Sequence, residues 1–257
     1  MLTLLTAAVA TLVFCAPGYP GGAGDAQPLL DQFAHAAVAA AGWPTGSLIA
    51  VYDPTEEGGL AKLRGPDAVL AFVPYPFFFE HASQLQLTPL AQADVVATGS
   101  TQRWTLIAKS GRVTNATSMA GFTVLSVAGY APQFVRQSAL AAWPLPPDVK
   151  IEFTGQILSA LRRVAAGEPV AALLDQEQAA ALATLPFAND LKAVAQSPEL
   201  PVAIVAVVDS RLPAARAQTL QTALLKIAHA AGDADTLAPL RLKGFVLPQL
   251  PGHTAAP

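Results

Sequence analysis

The sequence predicts an α/β fold of two lobes joined by two crossover strands. Three observations predict it. Short apolar runs alternate with segments of helical period. Most of those runs are continuous instead of alternating, as parallel strands are when helices cover both faces. Strands at about 103–109 and 202–208 lead into and out of a middle block, so the chain crosses between halves twice, the geometry of a double hinge. A chain of 257 residues is long enough for two lobes of this kind.

Taken in order, Thr11–Ala16 reads as the first strand. Asp25 is placed to cap a helix whose apolar face carries Leu29, Leu30, Phe33, Ala37 and Val38 and which ends at Gly42. Leu48–Tyr52 and Ala68–Val73 read as strands; Pro74-Tyr75-Pro76 then turns sharply, and residues 82–100 are polar and irregular. The middle block has strands at Trp104–Ala108, Thr123–Ser126, Lys150–Phe153 and Val170–Leu174. Between the last two lies a helix with Ile157, Leu158, Leu161, Val164 and Ala165, stopped by Gly167, and another runs from about Asp175 to Leu182. Val202–Val208 returns to the first half. The closing helix is expected to start with Asp209 or Ser210 as cap and Pro213 in its first turn, and to continue through Leu220, Leu224 and Ile227 to Gly232. The expected boundaries are therefore 11–102 with 203–248 for lobe one and 103–202 for lobe two, with a disordered tail at 249–257. Residues 1–10 end in Ala8-Val9-Ala10, a small-x-small pattern that reads as the remnant of an export signal and points to a periplasmic or extracytoplasmic site.

Composition narrows the function. Charged residues make up 13% of the chain and hydrophobic ones 53%. No uninterrupted apolar stretch reaches the ~18 residues of a bilayer span. A net charge of −3 offers no basic stripe for a nucleic-acid backbone. Cys15 is the single cysteine, so an intrachain disulfide is excluded, and no histidine or cation neighbours it in sequence to activate a thiolate. His35, His81, His229 and His253 stand on separate elements without ligand spacing, so no metal is expected, and no motif implies a cofactor.

The polar groups that remain gather at strand ends, where open α/β sheets hold ligands. The glycine-rich run from Ala16 to Gly24 contains Tyr19 and leads from strand to helix, a context in which backbone N–H groups meet a ligand, although its prolines remove donors. The aromatic run Phe72–His81 is the densest in the chain, with Tyr75 near its start. Ser126-Val127-Ala128-Gly129-Tyr130, Thr154-Gly155-Gln156 and the Asp175 segment repeat the strand-end geometry in the second lobe. Each alone reads as a cap or turn; their recurrence in both lobes makes the case for a ligand site.

Together, FCAPGYPG, AVLAFVPYPFF, SMAGFTVLSVAGYAP, IEFTGQILSALRRVAAGEPVAALLD and SPELPVAIVAV resemble the periplasmic phosphate/phosphite/phosphonate-binding family of ABC importers, of the type II periplasmic-binding-protein class. The resemblance covers nearly the whole chain. It implies a monomer that binds a small solute between its lobes, delivers it to a membrane permease and catalyses nothing. It places Tyr19 and Tyr75 on the ligand from the first lobe, and Ser126, Gly129, Tyr130, Thr154, Gln156 and Asp175 from the second. In the family the SVAGY position is rich in Ser and Thr, and a histidine commonly stands where Gln156 is found here. The implied site is less polar than the family's and suits an oxyanion held by amides or a weakly charged or neutral metabolite. The alternatives are an enzyme on the same scaffold using Cys15 or Asp175, and a ligand-sensing domain that docks to a membrane receptor.

Overall fold

The computed structural model describes residues 9–19, 21–227 and 236–251. The export-signal segment up to residue 8, Gly232 with the expected end of the last helix, His229, His253 and the tail from 252 lie outside the described residues.

Lobe one begins with β1 (Ala10–Cys15), α1 (Ala23–Ala40), β2 (Leu48–Asp53), α2 (Glu56–Leu63), β3 (Ala68–Pro74), α3 (Tyr75–Leu85) and β4 (Leu87–Val95). The chain crosses on β5 (Thr101–Gln102). Lobe two holds β6 (Thr105–Lys109), β7 (Thr123–Ser126), the short α4 (Pro132–Phe134), β8 (Lys150–Phe153), α5 (Ile157–Ala166), β9 (Val170–Leu174), α6 (Gln176–Ala180) and β10 (Leu191–Gln196). It returns on β11 (Leu200–Pro201) and completes lobe one with β12 (Ala203–Val208), α7 (Ala214–Lys226) and β13 (Leu242–Val246).

The first sheet has the order β13-β4-β12-β3-β1-β2 and the second β10-β6-β9-β7-β8. Each has a parallel core, β2-β1-β3 in one and β8-β7-β9 in the other, extended by antiparallel strands. The crossovers β5 and β11 pair antiparallel, with Leu200 opposite Gln102 and Pro201 opposite Thr101, and tie the two passages into one hinge. This is the two-lobed fold with two crossover strands.

The parallel strands form for the reason their sequence gives. All five residues of β9 are buried, as expected of a strand covered on both faces. Three antiparallel strands escape the same reading. The stretch expected to be irregular contains β4, a central strand of lobe one. Pro89 sits within it at a bulge against β12 and outside the residues paired with β13, so its missing N–H leaves no ladder bond unmade. The edge strand β10 is half exposed, and β13 is interrupted by a register shift before Gly244.

Several caps also differ from expectation. Pro74-Tyr75-Pro76 does not turn the chain away but starts α3, with Pro76 in the first turn where its lost donor is harmless. Asp25 lies inside the first turn of α1, behind an N-cap at Gly22. Asp209 and Ser210 take left-handed φ of 47° and 52° in a tight turn, a conformation unlike the extended one of an N-cap, so α7 begins after Pro213 instead. As expected, α5 stops at Gly167, which has φ 85°. Asp175 caps α6 in a reciprocal box with Gln178, and a 3-10 turn at Ala181–Thr184 follows.

The core falls into three clusters. One lies between the first sheet and α1 and α7, and one between the second sheet and α5. The third runs through the hinge: Cys15, Tyr75, Phe77 and Phe78 of lobe one and Trp104, Met119 and Phe134 of lobe two belong to a single apolar body. Leu250 packs against it, and the Gln249 N–H donates to Gln92 Oε1, so the chain just past Pro248 is docked.

Candidate functional site

The carboxyl ends of β1, β2 and β3, the start of β12 and the end of β9 enclose a cavity of about 300 Å³ beside the hinge. Its position follows from topology, since parallel strands place their carboxyl ends and the loops beyond them on one side. Phe14, Tyr52, Phe72, Val73 and Pro74 supply one apolar wall, and Val95, Val202, Ala203, Leu240 and Leu242 the other. Phe14 and Phe72 lean together with ring centroids 4.9 Å apart.

Tyr19, Thr98, Gln102, Asp175, Glu177 and Arg241 bring polarity to this lining. Asp175 is 5% exposed, and one of its oxygens accepts the Gln178 N–H at 2.8 Å. Burial pushes its carboxyl above the usual range, the Gln178 amide pulls it down, and the Glu177 charge pushes it up again. Burial also raises the Tyr19 phenol, with the Asp175 and Glu177 charges adding to the effect and the nearby Gln102 amide opposing it. Tyr19 therefore stays a neutral hydroxyl. Gln102, on the crossover strand, is 4% exposed, and its Nε2 is buried without a partner, as is Thr98 Oγ1. Glu177 and Arg241 are exposed and belong to the rim.

Of the residues singled out in the sequence, Tyr19 and Asp175 meet at this cavity. The others do not line it. Tyr75 is 3% exposed; its ring packs against Phe78, Phe79 and Phe134, and burial raises its phenol, with Ser138 opposing the shift. Ser126 is fully buried; its hydroxyl donates to Leu173 O at 2.7 Å and accepts the Ala128 N–H, which fixes the loop after β7. Gly129 lies flat against β8, where any Cβ would strike the Glu152 carbonyl and the Phe153 amide. Tyr130 tilts against Phe153, and burial together with Tyr19, Cys15, Glu56 and Glu80 holds its phenol well above the ordinary value. Thr154 Oγ1 accepts the Gln156 N–H at 3.1 Å in the turn before α5, and Gln156 is exposed.

Cys15 belongs to the cavity wall with its side chain buried. Burial, the Asp53 and Glu56 charges, and only partial relief from Lys62 push its thiol up to about 12. Its Sγ donates to Thr55 O, and α2 approaches so closely that only a glycine fits at Gly59. No group of three or more potential metal ligands occurs among the described residues.

Sequence reasoning missed Gln102 and Thr98. Nothing local marks them: they matter because the hinge brings them against β1 and β9. Phe14 and Phe72 lie within the expected strands and carry no polar signal, and Glu177 stands in the strand-end segment next to the stronger signal of Asp175.

The family model described as "ABC transporter, phosphonate, periplasmic substrate-binding protein" matches residues 83–250. The chain belongs to this family. The phosphonate-binding family is one of substrate-binding proteins, and solved structures share the fold of this member. A Xanthomonas citri protein, XAC2383, bound to chloride ion is 16% identical, with 94% of this chain and 92% of that chain covered and a TM-score of 0.69. A binding-protein component of an ABC phosphonate transporter from Pseudomonas aeruginosa is 16% identical over 92% of this chain and 80% of that one, with a TM-score of 0.59. PhnD1 from Prochlorococcus marinus, in complex with methylphosphonate, is 13% identical over 93% of both chains, with a TM-score of 0.59. No curated protein matches the sequence.

Proposed function

We propose that this family member is a monomeric, extracytoplasmic solute-binding protein that hands its ligand to an ABC permease, and that its ligand is weakly charged or neutral instead of a phosphonate dianion. One observation carries the second half: among the described residues, the buried ionisable groups on the cavity wall include a carboxylate, Asp175, and no cation, since the Arg241 of its lining is exposed. A dianion moved into such a space loses hydration worth several kcal/mol per charge without a paired counter-charge. Apolar walls with a few placed hydrogen-bonding groups suit an uncharged body instead. Catalysis finds no support, because the Cys15 thiol is held protonated and the Asp175 carboxylate is engaged as a helix cap.

Closure would be driven by contacts available only when both lobes meet the solute; Tyr19 and Gln102 lie on the hinge side and Asp175 comes from lobe two. Isothermal titration of the protein with methylphosphonate, inorganic phosphate and a set of neutral metabolites tests the reading. Methylphosphonate should bind at least about a hundredfold more weakly than the best neutral solute, a difference near 2.7 kcal/mol. Submicromolar methylphosphonate binding would refute it.

A further inference from the structure

The polar end of the cavity has a definite donor and acceptor pattern. Asp175 offers carboxylate oxygen, with one oxygen already receiving the Gln178 amide. Gln102 lies beside the Tyr19 hydroxyl on the cavity wall, and its Nε2 is buried without a hydrogen-bond partner. A buried N–H left unmade is costly, so a ligand acceptor placed there regains a full hydrogen bond. The opposite requirement holds at Asp175, where a ligand must donate. Around these groups stand the rings of Phe14, Tyr52 and Phe72, whose faces accept a flat π-system and attract positive charge. A cavity of about 300 Å³ has room for a single ring with a short head group.

We infer that the cavity selects a flat aromatic solute with an uncharged or cationic N–H head of the amide or amidine type, its donor toward Asp175 and its acceptor, where it has one, toward Gln102. The inference rests on the reading of this cavity as the solute site and names the class of solute. It assigns Gln102 and Asp175 separate recognition roles. Anionic analogues of the same shape are rejected, because their oxygens face the Asp175 carboxylate and the donors near them, Gln102 Nε2 and the Tyr19 and Thr98 hydroxyls, are neutral and supply no counter-charge.

Four probes of one shape test it: benzamide, benzamidine, benzoate and phenylphosphonate, titrated calorimetrically into the full chain. Benzamide and benzamidine should bind at least about tenfold more tightly than benzoate and phenylphosphonate. Asp175→Asn keeps a good N-cap for α6, so the protein should fold, yet benzamidine should lose its affinity about tenfold more than benzamide. Gln102→Leu should weaken benzamide and leave benzamidine, which lacks an acceptor, within about twofold. Ala203→Trp fills the cavity and should abolish all binding. Benzoate or phenylphosphonate binding as well as benzamide, or Asp175→Asn and Gln102→Leu each affecting all probes alike, would overturn the inference while leaving the cavity as the solute site. Binding insensitive to Ala203→Trp, or no binding by any of the four probes, methylphosphonate or the neutral metabolites, would overturn the site assignment with it.

Discussion

Two aromatic clusters meet at the junction between the lobes, and they use their rings in opposite ways. At the cavity, Phe14, Tyr52 and Phe72 surround space that no side chain fills. At the seam beyond it, Tyr75, Phe79 and Trp104 close on Phe134 with centroids 5.4–6.0 Å apart and leave none. The seam also carries a polar strap: Glu80 of α3 accepts the Gln133 and Phe134 N–H groups of lobe two at 2.9 and 3.2 Å. One cluster holds the lobes, the other leaves room between them. The difference teaches that aromatic density alone does not mark a ligand site, and neither does an unpartnered buried donor, since Trp104 Nε1 is one in the packed seam; what distinguishes the cavity is open space with polar groups on its lining.

The largest test of this contrast is Phe134→Ala. Phe134 is fully buried and touches three rings drawn from both sides of the junction. Its removal should cost about 3–5 kcal/mol, read from the urea midpoint. Phe72→Leu, on the cavity side, should cost about 1 kcal/mol and act chiefly on ligand affinity. Equal losses of stability at the two sites would break the comparison.

Next comes the strap. Glu80→Ala leaves two N–H groups of α4 without their charged acceptor, at a cost of about 1.5–3 kcal/mol. Small-angle scattering should then show a larger radius of gyration for the ligand-free protein. An unchanged radius would mean that the aromatic seam alone holds the lobes together.

This division of labour was only partly legible in the sequence. The parallel cores showed because β1, β3, β7 and β9 are continuous apolar runs. The strands β4, β10 and β13 did not, since Pro89, an exposed edge face and Gly244 each imitate loop chemistry. In the site, Tyr19 and Asp175 showed because they follow strand ends. Tyr75, Ser126 and Tyr130 gave the same signal but do not line this cavity. Gln102 gave none: its neighbours Tyr19 and Asp175 come from distant parts of the chain, and only the fold joins them.

Two carboxylates at strand ends sharpen the comparison through pH. Burial raises Asp53, but the Lys62 and Thr55 bonds outweigh it and hold the carboxyl below its ordinary 3.8. Asp53 therefore stabilises the fold above that value, and the contribution is lost as pH falls through the lowered folded pKa. Asp175 has the opposite sign: with its folded pKa raised, protonation favours the fold, and stability declines as pH rises from 3.8 through the raised value. Asp53→Asn should thus lose about 1 kcal/mol near neutral pH, a figure reduced because Lys62 is 41% exposed. Asp175→Asn should lose at most a few tenths and flatten the acid limb of the urea midpoint. Parallel pH profiles for the two variants would remove the distinction between a paired and an unpaired strand-end carboxylate.

The smallest expected effect concerns Cys15, which stands between the cavity and the packed side of β1. Its thiol is fully buried, bonded to Thr55 O and pressed against Gly59, and burial with the neighbouring carboxylates keeps it protonated. Thiolate is the species that alkylating reagents attack. Iodoacetamide at neutral pH should therefore leave Cys15 unmodified in the folded protein and label it only as rapidly as the chain unfolds. Cys15→Ala removes one sulfur atom from a tight contact, so it should lower stability by about 1 kcal/mol and shift solute affinity less than about threefold. Fast labelling that a bound solute blocks would instead place a reactive thiolate inside the cavity. That outcome would make β1 part of the chemistry of the site instead of its inert wall.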